Sequence, residues 1–162
     1  MDKVQPGPGQ ESVWDYPRPP ALDLSSEKIV VMLGGQVIAE TSQSWRILET
    51  SHPPTYYLPR SAFAPGSLRV ASGLSYCEWK GMASYLDLIG GGRVAERQAW
   101  WYPEPTPQYA VLQDHIALYP AAMDRCTVNG EEVAPQPGNF YGGWVTSRVV
   151  GPFKGSPGTN FW

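Results

Sequence analysis

Two short segments carry the side chains best suited to chemistry. In ETSHPPTYY the prolines after His52 hold His52 and Pro53 in extended geometry, which presents the imidazole in a fixed direction beside Glu49 and Ser51. An imidazole fixed near a carboxylate can act as a general base. His-Pro-Pro is first a turn-maker, so the competing reading has His52 capping a turn through backbone hydrogen bonds, with Tyr56 or Tyr57 packed beneath it.

The second segment is CEWKG, Cys77 to Gly81. If Cys77 to Lys80 is a strand, Cys77 and Trp79 share one face and Glu78 and Lys80 the other. With Trp79 inward, Glu78 and Lys80 stand about 7 Å apart on the outer face. There they form a surface pair worth under about 1 kcal/mol. With Glu78 and Lys80 inside the concave face of a curved sheet, burial and mutual attraction shift their pKa values and suit them to binding or proton transfer. On this pattern Cys77 follows Trp79 into the core and is an inert thiol.

Seven rings, Tyr85, Trp100, Trp101, Tyr102, Tyr119, Tyr141 and Trp144, could line a cage for a flat or cationic ligand, although rings spread over several strands more often form core. Alternation requires Trp100 and Trp101 to point to opposite faces. Gly142-Gly143 marks a bend or a close approach of backbone. Lys154 could add a positive end to the same pocket, or lie exposed.

These residues need strands and turns to position them. KIVVML and QVIAET flank Gly34-Gly35, and RCTV and EEV flank Asn129-Gly130, both signals for two-residue hairpins. LSYCEWK, MASYLDLI and RVAERQAWWY, separated by Gly81 and by Gly90 to Gly92, predict a three-stranded meander at the middle of the sheet. QYAVLQDH makes one or two helical turns and HIALYP returns to a strand. No long amphipathic helix is expected. The polar, Pro- and Gly-bearing residues 1–12 read as a flexible arm, residues 13–155 as a single β domain and 156–162 as a tail.

The 162 residues are enough to bury a core without metals or several disulfides. Charged residues make up 17 % of the chain against about a quarter in typical domains, and aromatic residues 12 %, so the core must be built largely from rings with polar tips. The net charge of -3, with Lys and Arg scattered singly, offers no stripe to neutralise phosphates, which argues against nucleic acid. No apolar run approaches the roughly 20 residues of a membrane span, and the first residues lack a signal peptide's apolar stretch, so a cytoplasmic protein is expected. Cys77 and Cys126 belong to no CxxC pair, so neither a disulfide framework nor a zinc site is expected, and no cofactor is implied.

Taken in order, ETSHPPTYYLP, YCEWKG, WWYPEP, HIALYP, FYGGWVT and VGPFKG resemble the bacterial domain-of-unknown-function family 427, over nearly everything from Trp14 to Gly155. The resemblance implies a mainly β fold: a small β-tent-like domain of curved antiparallel sheets with short helical turns, similar to methionine sulfoxide reductase B and the thalidomide-binding domain of cereblon. It implies almost nothing about activity. The family has carried a nucleotidyltransferase-like label, but the chain holds no Gly-rich phosphate loop and no paired-Asp metal motif. It also lacks the CxxC pairs of the zinc-bearing β-tent proteins.

The leading expectation is a small-molecule binding domain with a concave pocket built from His52, Tyr57, Glu78, Lys80, Tyr85 and Trp101. An enzyme using Glu78 as base, with Lys80 or His52 as electrostatic partner, is the alternative. A homo-oligomeric interaction module is a third reading, its neighbour covered by Trp14 and Tyr16 of the arm and by the tail ending at Trp162.

Overall fold

The computed structural model describes residues 1–162. Strands take up 46 % of the chain and helical turns only 9 %, so any site must be built on sheet faces and loops. In chain order the strands are β1 (Glu11–Ser12), β2 (Ala21–Ser25), β3 (Ile29–Leu33), β4 (Gln36–Thr41) and β5 (Ser44–Leu48). Then come β6 (Thr55–Pro59), β7 (Leu68–Cys77), β8 (Gly81–Gly90), β9 (Arg93–Trp101) and β10 (His115–Leu118). Short strands β11 (Arg125–Val128), β12 (Glu131–Glu132), β13 (Ala134–Pro135), β14 (Trp144–Val145) and β15 (Val149–Val150) close the chain.

Both expected hairpins form: Gly34 and Gly35 join β3 to β4, and Asn129 and Gly130 join β11 to β12, all four in the left-handed region that tight hairpin turns require. The meander is β7, β8 and β9. It extends into a seven-stranded sheet, order β2-β5-β6-β10-β9-β8-β7, in which every pairing is antiparallel. A second, antiparallel sheet has the order β12-β11-β3-β4. QYAVLQDH falls within and just after a 3-10 turn, Pro107–Leu112, and HIALYP opens with β10.

The two sheets face each other across the main core. Ile29, Val31, Leu33 and Ile38 come from the smaller sheet, and Tyr56, Leu58, Leu86, Leu88, Ala99, Ile116 and Leu118 from the larger. Alternation then sends the neighbours of these residues to the far side of the large sheet, where Ile47, Tyr57, Ala83, Ala117, Tyr102, Tyr109 and Leu112 form a second cluster. Most of the functional candidates lie on this far side.

Both termini are drawn in more closely than the sequence suggests. Glu11–Ser12 pairs in parallel with Val149–Val150, two residues before the expected start of the domain. The Glu11 carboxylate reaches the guanidinium of Arg46, which is 1 % exposed. Trp14 and Trp162, which the homo-oligomer reading lays over a neighbour, pack edge to face on each other with ring centroids 5.3 Å apart. No helix is long and apolar enough to cross a membrane.

Candidate functional site

Strand β7 does not run on to Lys80. It ends at Cys77, paired with Gly81, and Glu78, Trp79 and Lys80 form the turn of the β7–β8 hairpin. Gly81 sits at φ 110°, a conformation strained for other residues. The loop after β9 clamps the turn: the Thr106 backbone N–H donates to Lys80 O at 3.0 Å, and its hydroxyl donates to Trp79 O at 2.6 Å. Strict alternation therefore fails at this tip. Lys80 turns inward and is 9 % exposed, whereas Glu78 stays exposed at the rim. Cys77, expected as a sealed core thiol, is half-buried beside them.

Together with the far face of the large sheet, this tip bounds a hollow of about 690 Å³, within the size range of small-molecule sites. Its floor is aromatic. Trp100 Nε1 donates to the Tyr57 hydroxyl at 3.3 Å, and Tyr57 and Tyr102 lie with ring centroids 6.3 Å apart. One wall comes from the segment after β5, with Glu49, His52 and Pro53. The opposite wall comes from far along the chain, with Gln136, Tyr141, Gly142 and Lys154.

Of the six residues expected to line a pocket, His52, Tyr57, Glu78, Lys80 and Tyr85 border this hollow. Trp101 does not. As the alternation of Trp100 and Trp101 requires, it points to the other face, packs against the main core and carries the Arg60 guanidinium 4.4 Å above its ring. Trp100 takes its place in the floor. Trp144 is fully buried in the main core and is no part of the site.

His52 is held on both sides. Gln136 Oε1 accepts the Gly143 backbone N–H at 3.1 Å, and Gln136 Nε2 donates to Lys154 O at 2.8 Å, which fixes the orientation of the amide. The same Nε2 stands 3.0 Å from His52 Nδ1, so it donates there and the ring proton resides on Nε2, 3.7 Å from Glu49 Oε2. Burial first, then the positive charges of Lys154, Arg18 and Lys80, lower the imidazole pKa to about 4, and the hydrogen bond donated to the Nδ1 lone pair favours the same neutral ring. At neutral pH His52 is uncharged, its contact with Glu49 is not an ion pair, and its lone pair is already engaged. That geometry suits a donor and speaks against a general base.

Lys80 is the reverse case. Burial, the largest effect, works against its ammonium; Tyr57, Cys77 and Glu49 around it offset that and keep it protonated, although Glu49, the one carboxylate among them, stands beyond ion-pair distance. It forms none of the ion pairs in the molecule. Its Nζ lies 5.8 Å from the centroid of the Tyr102 ring. Burial, followed by Tyr57 and Cys77, raises the Tyr102 phenol so far that it remains a neutral hydroxyl at any ordinary pH. No three His, Cys, Asp or Glu side chains converge in a way that could hold a metal ion.

Sequence reasoning left Gln136 out of the site altogether, since a lone Gln in APQPG carries no chemical signature. For Gly142-Gly143 the bend-or-approach reading resolves as close approach. A Cβ on Gly143 would lie 2.5 Å from Gln136 Oε1 and 2.8 Å from Pro53 O, and one on Gly142 would overlap the Trp100 ring.

The sequence profile of the domain of unknown function DUF427 matches residues 21–129, two thirds of the chain. The chain belongs to the DUF427 family. No curated protein matches it. The span matched to DUF427 includes the aromatic floor, the Cys77-to-Lys80 tip and the His52 wall. It ends before Gln136, Gly142 and Lys154, so the wall that fixes His52 lies beyond the matched DUF427 span.

Proposed function

We propose that this DUF427 chain is a small-molecule binding domain and that its hollow takes a small organic anion. One observation carries the reading: the Lys80 ammonium is nine-tenths buried, borders the hollow and has no carboxylate partner at ion-pair distance. A buried cation normally has such a partner, because removal from water is costly unless an opposite charge compensates. A ligand carboxylate supplies it. The rings of Tyr57, Trp100 and Tyr102 offer an apolar bed for the rest of the molecule, and the Tyr85 hydroxyl, which donates to Ser75 Oγ at 3.0 Å, borders the same space.

Titration calorimetry with benzoate, benzamide and benzylamine tests this directly. Benzoate is expected to bind, benzamide at least about tenfold more weakly, which corresponds to about 1.4 kcal/mol, and benzylamine not at all. Equal affinity for all three would remove the anion reading. Analysis of the ligand after prolonged incubation separates binding from turnover: recovery of unchanged benzoate supports the binding domain, and a product supports the enzyme alternative.

A further inference from the structure

The two cysteines occupy opposite environments. Cys126 is 2 % exposed in the main core, where burial pushes its thiol up to about 12 and leaves it inert. Cys77 is half-buried and borders the same hollow as Lys80. The turn brings them to one place: Cys77 pairs with Gly81 to close the hairpin, Lys80 is the residue just before that partner, and both border the hollow. A nucleophilic atom and an unpaired, nine-tenths buried cation thus share one face of one cavity.

We propose that Cys77 is a nucleophile of this hollow, placed to form a carbon–sulfur bond with a small organic anion that bears an electrophilic carbon, while Lys80 holds the anion's carboxylate. The proposal rests on the anion-binding reading above and adds covalent chemistry to it. With an α,β-unsaturated acid, sulfur bonds to the β-carbon, the carbon–carbon π pair becomes a C–H bond at the α-carbon, and the thiol proton ends there. The addition is redox-neutral and needs no further reactant. Held by its carboxylate, the ligand presents its electrophilic carbon to sulfur as an effectively intramolecular partner. The aromatic floor limits the rest of the ligand to a flat or apolar group.

Alkylation of the full chain with iodoacetate and with iodoacetamide, followed by peptide mass mapping of each cysteine, tests the proposal. In either reaction the C–S bond forms, the C–I bond breaks, iodide leaves with its electron pair and the thiol proton passes to water. Cys77 is expected to label while Cys126 stays unlabelled until denaturation. At Cys77 iodoacetate is expected to outpace iodoacetamide by about tenfold, through attraction of its carboxylate to Lys80. Benzoate should slow the labelling. Lys80→Gln should bring the ratio of the two rates to one or below, and Lys80→Arg should keep it above one. Because the ratio is read within one protein, an effect of either substitution on stability does not disturb it. A Cys77 that resists both reagents, or a ratio indifferent to Lys80, overturns the proposal. If benzoate still binds the wild-type chain in that case, the binding reading survives; if it does not, both fall.

Discussion

The side-chain amide of Gln136 and the imidazole of His52, 84 residues apart in sequence, meet at 3.0 Å in a hydrogen bond whose direction is fixed by its surroundings. Gln136 has no freedom to turn, because Gly143 N–H and Lys154 C=O engage its other positions. The consequence for His52 is a defined tautomer and a neutral ring in a wall that Lys154, Arg18 and Lys80 make electropositive.

This arrangement fixes the sign of a pH effect. The folded His52 pKa of about 4 lies below its ordinary value of 6.5, so between those limits the unfolded chain binds more protons than the folded one. Stability therefore rises with pH across that window, by up to about 1.4 kcal/mol per unit, is fully present above pH 6.5 and is lost as pH falls toward 4. Denaturant unfolding at pH 4.5, 5.5 and 6.5 on the wild type and on His52→Gln should show this slope only in the wild type. An NMR titration should find the His52 ring neutral at pH 5.5.

A Cβ at Gly143 should break the same clamp. Its contacts would be Pro53 backbone oxygen and Gln136 Oε1, and the backbone atom cannot step aside. Gly143→Ala is expected to destabilise the domain by about 1–3 kcal/mol, the range for overpacking a tight site. Its second signature is a His52 pKa that moves back toward 6.5 as Gln136 and the wall separate. A melting temperature and His52 shift both unchanged from wild type would mean that the wall is looser than its distances imply.

What the sequence disclosed and what it hid divide along a physical line. The hairpins at Gly34-Gly35 and Asn129-Gly130 and the opposed Trp100 and Trp101 were legible because turn chemistry and period-two alternation are local. His52, Tyr57, Glu78, Lys80 and Tyr85 border one hollow, but Lys80 gets there by a route that strand alternation does not give. Its direction comes from a hairpin turn held by Thr106, a contact across 26 residues that no local pattern encodes. Taking the strand through to Lys80 also assigned Cys77 to the sealed core. Gln136 was invisible for a similar reason: its role lies wholly in what it bonds to.

The amino-terminal arm supplies a further expectation. Arg46, 1 % exposed, is held by Glu11 and by Asp23, the latter at 2.7 Å, and Glu11 also takes Arg148 at 3.1 Å. Burial opposes ionisation of Glu11, but hydrogen bonds from Arg46 and Tyr16 and the charges of Arg46 and Arg148 win and bring its pKa to about 2. Its contribution is present above about pH 4.5 and lost as pH falls toward 2, a window below that of His52. Glu11→Ala leaves Arg46 undercompensated and should cost about 3 kcal/mol in denaturant unfolding at pH 7, the lower end for breaking a buried pair, since Asp23 remains. An effect under about 0.5 kcal/mol, typical of an ordinary surface position, would show the arm to be dispensable.

Lys80→Met is the substitution that most sharply separates a site from a scaffold. A lysine kept only for structure should, when removed, destabilise the protein. Lys80 has instead no ion pair to lose, and methionine fills nearly the same volume against the rings of Tyr57 and Tyr102 without burying a charge. Thermal unfolding without ligand should therefore leave the melting temperature of Lys80→Met close to that of the wild type. Benzoate should tell the two proteins apart. At a hundred times its dissociation constant it is expected to stabilise the wild type by about 2.7 kcal/mol, and to leave Lys80→Met where it was. Loss of stability in the variant without ligand, together with no benzoate shift in either protein, would make Lys80 a structural residue and the hollow an unused cavity. A variant that is as stable as the wild type but no longer responds to benzoate would mean that the buried ammonium is retained for what it binds.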